Sequence, residues 1–282
     1  MHIIGVTILY QPDIDLLFKR INTYLPQLQK LLLYDNSESL NLNLQNLILE
    51  QNNSKIEYVF FGENEGLSKR LNCAADYAIL NGYDYLLTMD QDSSFEVGDF
   101  ENYLHKVQQN NLLKVAQFGV NCQKEFTKAT NTPEQVLSLI TSGSILNLCY
   151  FHEIGYFDEH LFIDFVDLEF SYRVNYLGYI NLQFTDIILI HRIGYLKMGR
   201  SLINFRISPR ILHSPIRVYY ILRNGLYLLF KVKYINKHAK KDIRRSMMVI
   251  KNDFIYHNNL VAVYKNAFVG FFDFLRNKMG KK

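Results

Sequence analysis

The sequence predicts an α/β protein with a mostly parallel central sheet, helices on both faces and a helical C-terminal extension. In the first part of the chain, short apolar runs of strand length alternate with segments of helical periodicity. Most of these runs end in turn residues or in polar side chains. From Pro215 onward the pattern is helical, aromatic and basic. We therefore expect a first domain over residues 1–205 and an extension over residues 206–282.

Four apolar runs near the N-terminus predict the first strands. They are His2–Tyr10, Lys30–Tyr34, Ile56–Phe61 and Tyr85–Met89. Helical periodicity over Ile14–Tyr24, and again from Glu65 to Leu80, fills two of the connections. Strands joined through helices pair in parallel by right-handed crossovers, so these four runs predict one parallel sheet.

The middle of the chain is less regular. A polar stretch over Gln123–Gln135 predicts an exposed excursion, and an apolar run over Val136–Leu148 follows it. Phe162–Leu177 carries acidic residues at helical spacing, and Ile180–Ile190 predicts another strand that ends at His191.

Polar side chains follow several of the predicted strands. Asp35, Asn64, Asp90 and Asp92 each come just after a strand. In open parallel sheets, ligands bind beyond the carboxyl ends of the strands. The sequence therefore predicts a functional site along this edge.

Asp90, Gln91 and Asp92 are the strongest candidates within that site. Carboxylate oxygens are hard ligands that hold Mg²⁺ or Mn²⁺, and such a cation can stabilise a departing diphosphate as a Lewis acid. The spacing of the two aspartates is by itself weak evidence for a metal site, because Asp13, Ile14 and Asp15 repeat it in what we interpret as a turn. A solvated loop is the structural alternative, and the buried strand just before the triplet counts against it.

Two further features could complete a catalytic site. Asp164, Asp167 and Glu169 supply carboxylates, one of which could act as a general base. They cannot all share one helix face, so at least one should be structural, and an acidic helix start is the alternative for the whole group. His191 at a strand end could bind a metal ion or could be a structural histidine.

The start of the C-terminal helical region pairs aromatic and polar residues. Tyr219 and Arg223, and likewise Tyr220 and Asn224, are four residues apart and share a helix face. Arginine suits a diphosphate, whereas a helix that packs through its tyrosines is an equal alternative.

Charge divides the chain in two. Residues 1–205 carry 14 Lys and Arg against 24 Asp and Glu, whereas residues 206–282 carry 17 against 3. A basic, aromatic tail suits an anionic membrane surface. Nucleic acid is the rival partner, but no recognition motif accompanies the charge, so we predict no nucleic-acid binding.

The cellular location can also be predicted. Cys73, Cys122 and Cys149 have no pairing or metal-ligand spacing, which indicates a reducing compartment. We find neither a secretory leader nor an apolar stretch of bilayer length. We therefore expect a cytoplasmic protein, peripheral at the inner face of the membrane.

Eight segments together resemble family 2 glycosyltransferases, in particular their bacterial rhamnosyltransferase-like branch. They lie between Val6 and Asn224 in the family order. They are VTILY, YDNSES, ENEGLSKRLN, LTMDQDS, TSGSIL, GYFDEHLFIDFVDLEF, HRIGY and HSPIRVYYILRN. The resemblance implies the GT-A fold, whose Rossmann-like sheet binds a nucleotide diphosphate sugar.

The resemblance also implies a role for each matching residue. Asp92 and His191 would bind the metal ion, Asp167 would be the general base and Asp164 the fallback. The donor would be bound by Thr7, Tyr10, Asp35, Asn64, Arg70, Asp90, Gln91, Arg223 and Asn224, and the acceptor by Ser142, Gly143 and Ser144. Glu65 departs from the family, which more often has a small or apolar residue there.

The implied reaction is an inverting sugar transfer with Mg²⁺ or Mn²⁺. We expect L-rhamnose from dTDP-L-rhamnose as the donor, with a UDP-hexose as the alternative, and a saccharide acceptor, which could be lipid-linked, in bacterial surface-glycan synthesis. A non-catalytic module that binds a nucleotide sugar or glycan is the alternative of another class. A dinucleotide oxidoreductase is disfavoured because Gln11 and Pro12 replace its glycine-rich turn.

Overall fold

Four parallel strands form one half of the central sheet in this computed structural model, which describes residues 1–111, 114–122, 130, 132–191, 195–200 and 206–282. They are β1 (Ile3–Leu9), β2 (Lys30–Asp35), β3 (Ile56–Phe60) and β4 (Tyr85–Asp90), in the order β3-β2-β1-β4. Their connections hold α1 (Ile14–Ile21), α2 (Leu42–Gln51) and α3 (Leu67–Leu80). The predicted parallel strands are confirmed.

The other half of the sheet mixes directions. It contains β5 (Ser94–Phe95), β6 (Val115–Asn121), β7 (Glu134–Val136), β8 (Ser144–Asn147) and β9 (Ile180–Ile190). β8 joins β4 to β6 with antiparallel pairing on both sides, and β9 runs parallel to β6. β5 and β7 each pair with β9 in the antiparallel direction.

Helices α4 (Asp99–Gln109), α5 (Phe151–Ile154) and α6 (Val166–Tyr176) complete this part. α4 and α6 both pack against β9. An aromatic cluster joins β5 to the core. The ring centroids of Phe95 and of Phe100 in α4 are 5.1 Å apart, and Phe95 is almost fully buried. This packing anchors a two-residue strand that could not hold its place by pairing alone.

The chain divides into two compact units. The first contains Met1–Glu159 and Val166–His191, and the second contains His160–Phe165 and Arg192–Lys282. Within the second unit, β10 (Tyr195–Arg200) and β11 (Ile207–Leu212) form an antiparallel pair. They are followed by α7 (Pro215–Phe230), α8 (Lys237–Met247), α9 (Asp253–Tyr256) and α10 (Leu260–Leu275).

Several elements differ from the sequence-based expectations. The helix predicted to reach Tyr24 ends at Ile21, and a 3-10 helix at Leu25–Gln27 follows. α2, β6 and the β10–β11 pair had no counterpart in the prediction. Only the end of the apolar run Val136–Leu148 forms a strand, β8, after a turn in which Gly143 has φ +76°, whereas β7 begins within the predicted excursion.

The helix predicted over Phe162–Leu177 begins only at Val166, because Asp164 and Phe165 both have left-handed φ angles that a helix cannot contain. Within the predicted excursion Gln123–Gln135, residues 123–129 and 131 lie outside the described residues. So do residues 192–194 of HRIGY and residues 201–205 beside the predicted domain boundary. Within the described ranges, each helix is too short or too polar to cross a bilayer.

Candidate active site at the carboxyl edge of the sheet

The strand register brings the predicted site residues to one edge of the sheet. Asp35 is the residue paired with Leu9, and Asp90 is paired with Ile8. The end of β3 lies beside Asp35 as well, since Phe60 is its partner. The carboxyl ends of β1 to β4 therefore form a continuous rim, as the sequence predicted.

Asp90, Asp92 and His191 form a compact triad at this rim. One potential ligand atom from each residue lies within 4.8 Å of the others, and His191 Nδ1 is 3.3 Å from Asp92 Oδ1. His191 comes to the triad because β5 pairs Ser94 with Ile190, so the residues just before and just after this pair meet. The two-residue strand is thus what joins the two halves of the site.

Two buried serines support the triad. Ser93 Oγ lies 2.8 Å from His191 Nδ1, and Ser142 Oγ donates to Ser93 Oγ at 2.8 Å. The Asp90 backbone N–H donates to Ser142 Oγ at 3.1 Å. One chain of hydrogen bonds therefore links the backbone N–H of Asp90 to the imidazole of His191. Ser93 was not singled out from the sequence, although its position next to Asp92 was the available signal.

The ionisation of Asp92 suits a cation ligand. Burial alone would raise the pKa of its carboxyl, but the hydrogen bond and charge of His191 outweigh burial and hold that pKa below its ordinary value. Asp92 is therefore an anion at neutral pH.

Replacing Ser93 tests this support. We expect Ser93→Ala to weaken Mn²⁺ binding by about 10- to 100-fold, because an outer hydrogen-bond partner fixes the orientation of a ligating imidazole. Titration calorimetry would measure the affinity. Ser94→Ala is the matched control, and equal affinities in the two variants would contradict the role of Ser93.

Gln91 joins the site to the end of β1. Its side-chain amide accepts from the Tyr10 backbone N–H at 2.8 Å and donates to the Tyr10 carbonyl at 3.1 Å. Arg20 of α1 donates to the Gln91 carbonyl at 3.2 Å. The predicted contact of Gln91 with the donor stays a prediction, and in this structure its amide holds the Tyr10 backbone. The Tyr10 ring itself is exposed at the rim.

Asn36 contacts both Asn64, in the loop before α3, and Arg70, in the first turns of α3. Asn36 donates to Asn64 Oδ1 at 2.9 Å and accepts from Arg70 Nε at 2.8 Å. Arg70 is almost fully buried, stacks 3.6 Å from the centroid of Phe61 and forms an ion pair with Glu65 at 2.9 Å. Glu65, the departure from the family, therefore balances the charge of the arginine that was predicted to lie near the nucleotide.

Thr7 and Asp35 are fully buried under the rim. Thr7 Oγ1 lies 2.9 Å from the Tyr24 hydroxyl. Asp35 accepts from the Ser37 backbone N–H at 3.0 Å and from the Tyr58 hydroxyl at 2.7 Å. Their predicted contact with the nucleoside stays a prediction, and in this structure both side chains have protein partners.

The three predicted acceptor residues are also buried. Ser142 belongs to the network behind the triad, and Ser144 donates to the Ile140 carbonyl at 2.5 Å. A side chain on Gly143 would approach Val120 Cγ2 to 2.9 Å. Their predicted contact with the acceptor sugar stays a prediction, and in this structure they pack within the protein.

Asp167 lies in the first turn of α6 and is partly exposed. The Leu168 backbone N–H donates to its Oδ1 at 2.8 Å. Burial raises the pKa of the Cys122 thiol, and the charge of Asp167 adds to this effect. Cys122 follows β6, whose last residue Asn121 pairs with Ile188 near His191. The charge of Asp167 therefore acts on a residue at the end of β6.

Glu169 is the structural member of the acidic group, as the helix geometry required. It is 1% exposed, and its two carboxylate oxygens accept from Arg173 Nε and Nη2, each at 2.8 Å. Arg173 also donates to the Ile154 and Tyr156 carbonyls, both at 2.7 Å. The pair fixes α6 to the segment that precedes it.

This pair predicts a stability effect. Glu169→Gln should lower the free energy of unfolding by about 3 kcal/mol, because it leaves the Arg173 cation without its buried counter-ion. Urea denaturation would measure the loss. The matched control is Glu57→Gln, since the Lys30–Glu57 pair is about one-third exposed and should contribute about 1 kcal/mol or less. Equal losses would contradict the prediction.

Within the second unit, Asp164 and Arg223 have structural partners. Asp164 forms an ion pair with Arg217. Arg223 is 0% exposed and donates to the Tyr219 hydroxyl at 3.1 Å and to the Gly280 carbonyl at 2.7 Å. Asn224, equally buried, donates to the Ile163 carbonyl at 2.8 Å. The expected contact of Arg223 and Asn224 with the donor stays a prediction, and in this structure both side chains are buried with protein partners.

Comparisons with known proteins identify relatives in sequence and in fold. The dTDP-rhamnosyl transferase RfbF of Shigella flexneri is 27% identical over 252 residues, covering 82% of this chain and 80% of the relative. A mannosyltransferase from Pyrobaculum calidifontis, solved with GDP-Man and Mn²⁺, has a TM-score of 0.58 at 12% identity, covering 98% of this chain and 75% of that chain. For S. aureus TarS 1-349 with UDP-GlcNAc the TM-score is 0.57 at 12% identity, with 98% and 81% coverage.

These structural neighbours share the GT-A fold, so the predicted fold class is confirmed. The family model described as glycosyl transferase family 2 matches residues 22–173, which contain Asp35, the Asp90–Asp92 triplet and Asp167. The match covers more than half of the chain. The chain therefore belongs to glycosyl transferase family 2 and is a glycosyltransferase.

Proposed function

We propose that the chain is an inverting, metal-dependent glycosyltransferase that moves L-rhamnose from dTDP-L-rhamnose to a saccharide acceptor. The Asp90, Asp92 and His191 triad at the carboxyl edge of the sheet carries this proposal. It lies where α/β folds bind ligands, and it joins two neighbouring carboxylates to an imidazole about 100 residues further along the chain.

The triad fits a divalent cation. Two carboxylates and one imidazole within 4.8 Å of one another suit Mn²⁺ or Mg²⁺, with the remaining positions left to water and phosphate oxygens. Asp92 and His191 are the proposed ligands, and Asp90 faces the ribose. When bound, the cation stabilises the negative charge that develops on the departing diphosphate.

Asp167 is the proposed general base. Inversion requires the acceptor hydroxyl to attack the anomeric carbon from the side opposite the leaving diphosphate. Asp167 would take the proton of that hydroxyl on a carboxylate oxygen. The carboxyl group of Asp167 must be ionised before it can accept this proton. Asp167 lies in the first turn of α6, where the helix dipole favours an anion.

The rim residues Tyr10 and Asn64 are the proposed contacts to the nucleotide. Tyr10 is exposed at the end of β1, held through its backbone by Gln91. The 27% identity to a protein named as a dTDP-rhamnosyl transferase supports dTDP-L-rhamnose as the donor. A UDP-hexose is the alternative donor for the same site.

The acceptor is proposed to be a lipid-linked saccharide of a bacterial surface glycan, reached at the inner face of the membrane. Residues 206–282 carry 17 basic and 3 acidic residues. This positive charge supports an anionic lipid surface as the partner. We propose no nucleic-acid partner.

A donor-hydrolysis screen tests the proposal. Purified protein is incubated with dTDP-L-rhamnose, UDP-glucose, UDP-galactose and UDP-GlcNAc, with Mn²⁺ or with a chelator, and the released nucleotide is measured. We expect release from dTDP-L-rhamnose that depends on Mn²⁺. Release from a UDP-hexose alone would replace the donor, and nucleotide binding without release from any donor would favour the non-catalytic alternative.

A further inference from the structure

One face of α10 exposes apolar side chains to solvent at helical spacing. Val261, Tyr264, Phe268, Phe271 and Leu275 are separated by alternating steps of three and four residues, so they form one stripe. Val261 is 80% exposed and Phe268 66% exposed. Single exposed apolar residues are ordinary on a surface, but a continuous stripe of five along one helix marks an interaction site.

The opposite face of α10 is fixed against α7. Gly270 lies so close to α7 that a Cβ atom there would be 2.8 Å from the Tyr219 carbonyl oxygen. The Tyr219 hydroxyl donates to Asp273 at 2.8 Å, and Val263 and Ala267 are buried on the same side. This packing sets the rotation of the helix, so the apolar stripe cannot turn inward.

The charges beside the stripe have one sign. Between Phe254 and Lys282 the sequence has one acidic residue, Asp273, and that residue is buried against α7. Lys265, Arg276 and Lys278 are exposed. An apolar face flanked by cations is the composition of a helix that lies in the interface of an anionic bilayer.

We propose that α10 lies flat on an anionic lipid surface and inserts its apolar stripe between the headgroups. This inference rests on the membrane location proposed above and names the element that makes the contact. A second copy of the chain is a less suitable partner for the stripe. Two α10 helices in contact would place the three cations of one copy beside those of the other, and α10 has no exposed acidic residue to balance them. Lipid phosphates are complementary to these cations, and acyl chains are complementary to the stripe.

A single tryptophan can report the insertion, because the natural chain contains none. Phe268→Trp is mixed with phosphatidylcholine vesicles that do or do not contain phosphatidylglycerol. We expect its emission to shift to shorter wavelength, and to be quenched by brominated acyl chains, with the anionic vesicles. Leu80→Trp, at an exposed position of the first unit, is the control and should show neither change.

A second pair of variants measures the contribution to binding. Phe268→Gln combined with Leu275→Gln should weaken sedimentation with anionic vesicles by about tenfold or more, since two apolar side chains are lost from the inserted face. Leu49→Gln combined with Leu80→Gln removes two exposed leucines from the first unit and should bind as the natural chain does.

Three results would overturn the proposal. The first is vesicle binding that is equal in the two double variants. The second is a Phe268→Trp emission that does not respond to vesicles. The third is an emission shift that grows with protein concentration without lipid, which would assign the stripe to self-association. Mn²⁺-dependent donor hydrolysis without vesicles should be the same in both double variants, so failure of the catalytic proposal would be seen separately.

Discussion

Asp92→Asn should lower kcat/KM for the donor by about 1,000-fold at saturating acceptor. The change keeps the shape of the side chain but removes the anion that we assign to the cation. Stabilisation of a departing diphosphate by a bound cation is worth several kcal/mol, and about 4 kcal/mol corresponds to this factor. The measurement is initial rate against Mn²⁺ concentration, in which the variant should also require far more Mn²⁺.

The chain supplies a matched control for this substitution. Asp13, Ile14 and Asp15 repeat the spacing of the Asp90–Asp92 triplet, but Asp15 is exposed in the first turn of α1. Asp15→Asn should therefore keep the activity of the natural chain within about twofold, as surface substitutions away from special features have small effects. If Asp92→Asn retained activity at the level of Asp15→Asn, the metal assignment would be wrong.

Asp167→Asn should reduce kcat by about 100- to 10,000-fold, which is the usual contribution of a positioned general base. The donor and Mn²⁺ are bound elsewhere in the proposed site, so KM for the donor should stay within about twofold. A titration of Mn²⁺ affinity on the same variant would separate loss of the base from damage to the metal site.

Asp164→Asn distinguishes the two candidate bases. Asp164 has left-handed backbone angles and forms an ion pair with Arg217, so we expect its loss to affect local stability more than turnover. If Asp164→Asn abolished turnover while Asp167→Asn kept it, the base would be Asp164. The thermal stability of each variant, measured in parallel, shows whether a loss of rate reflects unfolding.

Strand ends were the part of the site that could be predicted. Each apolar run that stops at a polar residue marks the carboxyl edge of a parallel sheet, and Asp35 and Asp90 both lie there. The contact of His191 with Asp92 could be inferred only from the resemblance to the family. The strand that creates this contact, Ser94–Phe95, is too short to give any periodicity.

Helical spacing was less informative for Arg223 and Asn224. Residues four apart share a helix face, but spacing does not say whether that face meets solvent or protein. Here the face is buried, and Arg223 donates to backbone carbonyls, including that of Gly280 close to the C-terminus. To predict this burial from the sequence, one would need to know where the segment around Gly280 lies in the fold. The local pattern around Arg223 does not give that information.

The short pairing of β5 with β9 also affects the order in which the protein can become active. Asp90 and Asp92 are synthesised before β9, and His191 joins them only after about 100 further residues; contacts of such sequence separation are slow to form. A nascent chain that ends before β9 therefore contains the complete carboxylate motif without the imidazole or the β-strand that positions it. The imidazole that completes the triad is therefore added only when most of the first unit has already been made.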